Sequence, residues 1–297
     1  MQANIDELFK WEDKNKMKCN GAKFQLMRYG QDQDIKANTL YFTKGMEETI
    51  DQFSSLRDLG VILSDDGKFT THIDKIEKQV RQKTGWVLRT FYSRRTDLLK
   101  QLWKSLLQCH IDYCSQLIMP AGQSNDMSRI EKLFYDFSAK IPEMRSMNYW
   151  QRLDKMKMFS QERRMERYRI IYMWKVLEAK VPNCGVTEAP ENERLGRRVA
   201  IPALRPGGRR AVQTLREQGF QVNGARLFNS LPKRIREIRN NQDTFKEALD
   251  LPLARVPDQP RMGGLLPTAV DQQTGRQSNS LLAWASTTGG PKDLGMQ

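Results

Sequence analysis

Two adjacent carboxylates, Asp65 and Asp66, follow the apolar run Val61-Ile62-Leu63 after a single serine, Ser64. Paired carboxylates at the end of a strand can hold two divalent metals for phosphoryl transfer, provided that a further carboxylate arrives from a neighbouring strand. Here Gly67-Lys68-Phe69 leads into a helix start rather than a second strand, and no upstream strand offers that carboxylate. Asp-Asp-Gly suits a type I turn, and the pair is read as one. Cys109-His110 with Cys114 resembles part of a metal knuckle, but zinc needs a fourth ligand, and His72 and Cys184 are far away in sequence. Cys109 also falls on the expected apolar face of its helix, where a buried free thiol is ordinary. No metal or other cofactor is expected. His72, beside a helix start, is expected at the surface, and with His110 the only other histidine there is little imidazole for acid–base work.

The remaining chemistry is cationic. The 297 residues carry 49 Lys and Arg against 35 Asp and Glu, a net charge of +14. That balance attracts polyanions, of which nucleic acid is the commonest inside cells. Arg163, Arg164, Arg167 and Arg169 are expected to face outward from one helix, with Lys75, Lys78 and Arg81 on another. Between Arg194 and Arg216 lie seven arginines and no acidic residue. Cations in such numbers can neutralise phosphates without reading bases. The expected partner is the RNA or DNA backbone, bound non-specifically through Lys75, Lys78, Arg81, Arg163, Arg164 and Arg167. No membrane partner and no small-molecule substrate are expected. No run of eighteen apolar residues is present. The first residues have no apolar signal core and the four cysteines are irregularly spaced, which predicts an intracellular, unsecreted protein.

The elements that would carry these residues form an α+β, mostly α chain. Alternation and apolar runs suggest strands at 23–30, 40–42, 49–53 and 59–63, a small antiparallel sheet over residues 1–70 together with a helix in the first twenty residues. Residues 71–142 predict a three-helix bundle. Thr71, Thr96 and Ser124 are the expected caps; the inward residues are Ile73, Ile76, Val80, Val87 and Phe91, then Leu98, Leu99, Leu102, Trp103, Leu106 and Cys109, then Met127, Ile130, Leu133, Phe134 and Phe137. Pro120 and Gly122 are expected to end the second helix. Residues 143–185 read as a basic helical connector. Residues 186–251 read as a flexible arginine-rich extension with one late helix exposing Arg234, Arg236 and Arg239. Residues 252–297 read as a disordered tail.

Several small motifs occur in a recognisable order. They include Trp11 with Lys14-Asn15-Lys16-Met17, Met27-Arg28-Tyr29-Gly30, Arg57-Asp58-Leu59-Gly60-Val61-Ile62-Leu63-Ser64 and Phe69-Thr70-Thr71-His72-Ile73. Ile111-Asp112-Tyr113-Cys114-Ser115, Tyr149-Trp150-Gln151-Arg152-Leu153, Ser160-Gln161-Glu162-Arg163-Arg164, Leu227-Phe228-Asn229-Ser230-Leu231-Pro232 and Pro257-Asp258-Gln259-Pro260 follow. From about residue 9 to 260 the chain resembles the C-terminal part of the reverse transcriptases of non-LTR retrotransposons of the jockey-like LINE group.

That resemblance implies the end of a polymerase palm in residues 1–70, a thumb in the helical bundle, and a basic extension beyond. The family's catalytic carboxylates and its Tyr/Phe-Ala-Asp-Asp hairpin lie upstream of the matching part, so Met1 is expected to open the chain just after the active site. The expectation is a truncated RNA-directed DNA polymerase, inactive alone, with residual nucleic-acid affinity. Mg²⁺ is implied only for the full-length enzyme. Two alternatives are a part of a longer active polymerase and a fragment acting only through protein contacts.

Overall fold

The computed structural model describes residues 1–29, 40–43, 48–118, 124–203, 210–260 and 279–282. Among the described residues the chain is mostly helical with one small antiparallel sheet, the fold class that the hydrophobic patterning predicts. It divides into two compact units, Met1–His72 and Ile73–Gln297.

In the first unit, α1 (Gln2–Asn15) ends at Lys16, whose left-handed φ of 52° lets its N–H reach the Glu12 carbonyl. Phe9 on this helix is buried and stacks on Phe24 with ring centroids 5.5 Å apart. The sheet is a hairpin, β1 (Ser55–Asp58) against β2 (Val61–Ser64), paired Asp58↔Val61 around a two-residue turn. Leu59 and Gly60 both take positive φ there, 44° and 91°. Such a turn matches the twist of the flanking strands. The expected strand 59–63 therefore loses its first two residues to the turn. The strands expected at 23–30, 40–42 and 49–53 contribute single bridges, Leu26↔Gln52 and Phe42↔Thr49. Gly30, the polar loop 31–38 and Gly45 lie outside the described residues.

The expectation for His72 is corrected. It is buried, and its Nδ1 accepts a hydrogen bond from the Ile62 N–H at 3.2 Å. Asp65-Asp66-Gly67 forms a turn: the Gly67 N–H reaches the Ser64 carbonyl at 2.9 Å and the Lys68 N–H reaches the Asp66 carboxylate at 2.9 Å.

α2 (Thr70–Thr90) buries Ile73, Ile76, Val80 and Val87 along one line. The next helical run is three segments, α3 (Thr96–Leu102), a π-helical turn (Trp103–Leu107) and α4 (Gln108–Asp112). The π turn contains one residue more than an α turn and so rotates everything after it. Leu107, Gln108 and Ile111 consequently face the core, while Cys109 is exposed rather than buried. Pro120 and Gly122 lie outside the described residues. After α5 (Ser115–Ile118), α6 (Asn125–Ser138) starts as its sequence predicts: Ser124 Oγ accepts the Met127 N–H at 3.1 Å, and Met127, Ile130, Leu133, Phe134 and Phe137 are all buried.

α7 (Tyr149–Met156) opens with a reciprocal Asn148–Gln151 capping box. α8 (Gln161–Leu177) is capped by Ser160, whose Oγ accepts the Arg163 N–H at 3.1 Å. Around it gather α9 (Arg210–Gln218), α10 (Ala225–Asn229), α11 (Lys233–Arg236) and α12 (Gln242–Arg255). Trp174 of α8 lies flat on Phe245 of α12, centroids 5.1 Å apart, and donates its indole N–H to the Ile238 carbonyl at 2.7 Å.

The expectation of a flexible segment at 194–216 is corrected for its described part. Val199 is buried, and the Asn229 side chain holds both its N–H and its carbonyl at 2.8 Å. The tail expectation is likewise corrected at its start: α12 runs through Pro252 to Arg255, with Leu253 and Val256 buried. Residues 204–209, 261–278 and 283–297 lie outside the described residues.

Candidate nucleic-acid interface

The outer face of α2 presents cations because its inner face is filled by apolar residues. At about 100° per residue, Lys75, Lys78 and Arg89 share a line opposite Ile76, Val80 and Val87. Lys78 and Arg89 are exposed and Lys75 is half-buried. Arg81 stands on the flank and is already engaged. Its Nε donates to Glu77 at 2.9 Å and its Nη1 to Asp136 at 3.1 Å. Arg129 of α6 joins the same cluster, contacting Asp74 at 2.5 Å and Glu77 at 2.6 Å. Partial burial would raise the Glu77 carboxyl, yet hydrogen bonds from Arg129 and Arg81 hold it below its ordinary value.

The arginines of α8 are placed differently, and their expected outward direction is corrected. Arg163 has no exposed surface. Its guanidinium donates to the carbonyls of Leu253 at 3.3 Å, Pro257 at 3.2 Å and Asn279 at 3.0 Å. Arg164 grips Asp112 through Nε at 2.9 Å and Nη2 at 2.7 Å. Arg167 grips Asp250 in the same two-pronged way, at 2.5 and 2.8 Å. Arg169 is buried and donates to the Gln116 carbonyl at 3.1 Å and the Gln218 carbonyl at 2.9 Å. Burial pushes its pKa down to about 10, which leaves it charged at neutral pH. These guanidiniums tie segments together rather than facing a ligand.

Buried carboxyls complete the network at the start of α8. Glu131 accepts from Tyr149 Oη, from the Gln161 N–H at 2.9 Å and from the Glu162 N–H at 3.3 Å. Burial nevertheless pushes its pKa up to about 8, because no solvent reaches the charge. Glu162 and Glu166 are raised for the same first reason; repulsion from Glu166, Glu131 and Asp258 adds to it for Glu162, whereas the Arg163 charge partly offsets it for Glu166. Asp258 accepts from Ser160 Oγ at 2.6 Å and from Asn279 Nδ2 at 2.8 Å, which docks residues 258 and 279 onto the α8 cap.

Two more arginines expected outside are inside. Arg197 is buried and pairs with Glu178 at 2.7 Å. Arg236 is buried and donates to the carbonyls of Leu231 at 2.9 Å, Leu195 at 2.9 Å and Arg197. Sequence carries a signal for α8 that outward-facing arginines conflict with: Met165, Ile170, Ile171, Met173, Trp174 and Val176 surround the helix axis instead of following one stripe. A helix apolar all round is a buried one.

Among the described residues, no three His, Cys, Asp or Glu side chains gather as metal ligands, and no helix is long and apolar enough to cross a membrane. Burial, with Lys83 adding to it, lowers the pKa of His110. The arrangement as a whole defines a mostly helical α+β chain with one cationic helix face and an internal arginine–carboxylate network. Compared with known proteins, the chain matches no family model, no curated protein and no solved structure.

Proposed function

We propose that the chain is the thumb and basic C-terminal part of a non-LTR retrotransposon reverse transcriptase, and that it holds nucleic acid by its backbone without catalysing polymerisation itself. The observation that carries the reading is the set of outward cations on α2, the exposed Lys78 and Arg89 with the half-buried Lys75 beside them, in a chain of net charge +14. The ordered motifs between residues 9 and 260 support it. At about 1.5 Å per residue, Lys75 to Arg89 spans about 21 Å. Duplex DNA carries roughly a dozen phosphate charges over that length. Arg163, Arg164 and Arg167 leave the set of contacts, because their donors are taken by the fold. Arg81 already spends its Nε and Nη1 donors on Glu77 and Asp136 and is left out of the count. Bases are not read, since lysines and arginines on phosphate carry no sequence information. Polymerisation and its Mg²⁺ belong to carboxylates outside these residues.

A salt titration of binding to a mixed-sequence duplex tests the reading. About two phosphate contacts, from Lys78 and Arg89, predict a log–log slope of about −1.8. A slope near zero removes the proposal. Primer extension by the chain with Mg²⁺ is expected to yield no product; product would favour the active-polymerase reading.

A further inference from the structure

The outer face of α2 carries more than charge. Trp86 sits about 20° round the helix from Lys75 and about 60° from Arg89 and is 49% exposed, and Tyr92, just past the helix, is 89% exposed. Phe91 meets the Trp86 indole edge-on, with centroids 6.4 Å apart and the rings at 89°. Phe91 is itself held by Arg94, which folds back to donate to the carbonyls of Phe91 and, at 2.6 Å, Leu88, closing the end of the helix. The indole is therefore held by a neighbouring ring while about half of its surface stays open. Lys83 and Arg89, three residues to either side of Trp86, are exposed and neighbour it on the helix surface. Gly85 leaves room for this. A Cβ there would lie 3.2 Å from Arg89 Nη1, so the guanidinium lies over the bare backbone of the residue before Trp86.

An exposed, braced aromatic ring flanked by cations suits an unpaired base, whose π-face stacks while its flanking phosphates meet the charges. A duplex buries its base faces in its own stack and offers such rings nothing. We propose that Trp86, assisted by Tyr92, forms a stacking platform for single-stranded nucleic acid, with Lys83 and Arg89 contacting the neighbouring phosphates. The inference rests on the nucleic-acid reading above and adds to the duplex phosphates a second form of ligand, unpaired bases.

The test uses the full chain, with oligo-dT and a blunt duplex of equal length as probes, read by tryptophan fluorescence and by anisotropy of labelled probe. Oligo-dT is expected to quench the fluorescence of the wild-type chain. Trp86→Ala is expected to lose that quench and about tenfold in oligo-dT affinity, with duplex affinity unchanged and the circular dichroism spectrum intact. Trp86→Phe, which keeps a ring, should retain most of the affinity. If Trp86→Ala weakens both probes equally or neither, the platform is overturned while the backbone reading stands. Binding of neither probe by the wild-type chain overturns both. A wild-type dimer that Trp86→Ala dissolves, with oligo-dT affinity unchanged, would assign the rings to a second copy of the chain and likewise overturn the platform.

Discussion

Along α2, Lys78 and Arg89 end in solvent; along α8, Arg163 ends on a set of backbone carbonyls and Arg164 and Arg167 end on aspartates. Both helices repeat cations at helical spacing. What separates them is the number of sides on which each is packed. α2 presents one apolar line to the core, so its remaining faces stay wet. α8 has Trp174 and Phe245 stacked toward one end, Glu131 and Asp258 around its cap, and Asp112 and Asp250 alongside. A cation on such a helix must find a partner, because leaving a charge buried and unpaired costs several kcal/mol. Basic residues thus meet two environments in one chain: solvent on α2, and internal partners that cross-link segments on α8.

The comparison breaks most readily at Arg163. Arg163→Ala leaves buried carbonyls at Leu253, Pro257 and Asn279 without a donor, and should destabilise the fold by about 3–5 kcal/mol. Urea denaturation measures this; a loss under about 1 kcal/mol would show that the α8 arginines are dispensable cross-links. Arg163→Lys should rescue little, since an ammonium cannot reproduce the forked donor set.

A pH effect of intermediate size belongs to the same network. The folded chain holds the Glu131 proton up to about pH 8, against an ordinary value of 4.5. The folded state therefore binds that proton more tightly than the unfolded chain. Its contribution to stability is fully present below about pH 4.5 and is lost as pH rises through about 8. Glu131→Gln carries no such proton, so its stability relative to wild type should improve steadily between pH 5 and pH 8 in parallel melts. A difference that stays flat across that range would place the Glu131 charge in an environment as favourable as water.

The Arg167–Asp250 pair is partly exposed, and Asp250→Asn should cost about 1 kcal/mol or less. A larger loss would move Arg167 into the same structural class as Arg163. At the small end, Lys78→Ala should leave stability within about 0.5 kcal/mol while reducing the salt slope of duplex binding by about 0.9. An unchanged slope with unchanged stability would strip the α2 face of its assigned role.

Much of the fold is legible in the sequence where neighbours in the chain decide it. Ser124 and Ser160 cap the helices that follow them, the α6 apolar stripe is buried residue for residue, and Asp65-Asp66-Gly67 turns the chain. The candidate site is only half legible. The α2 cations follow from a clean apolar stripe opposite them. The exposed Trp86 was within reach of the same argument, since it lies on the wet line of that helix.

What the sequence by itself determined is local: helix starts, turns, the direction of the α2 face and the excess of positive charge. Only the tertiary structure decided which cations meet water. Arg164 finds Asp112 52 residues earlier, Arg167 finds Asp250 83 residues later, and Arg163 reaches the Asn279 carbonyl 116 residues away. The π turn at Trp103–Leu107 is similar: it rotates Gln108 inward, where Gln161 receives its amide at 2.8 Å, and leaves Cys109 outside. Hydrophobic periodicity says which face of a helix is apolar. It does not say how many faces are covered, because that depends on segments brought together from across the chain.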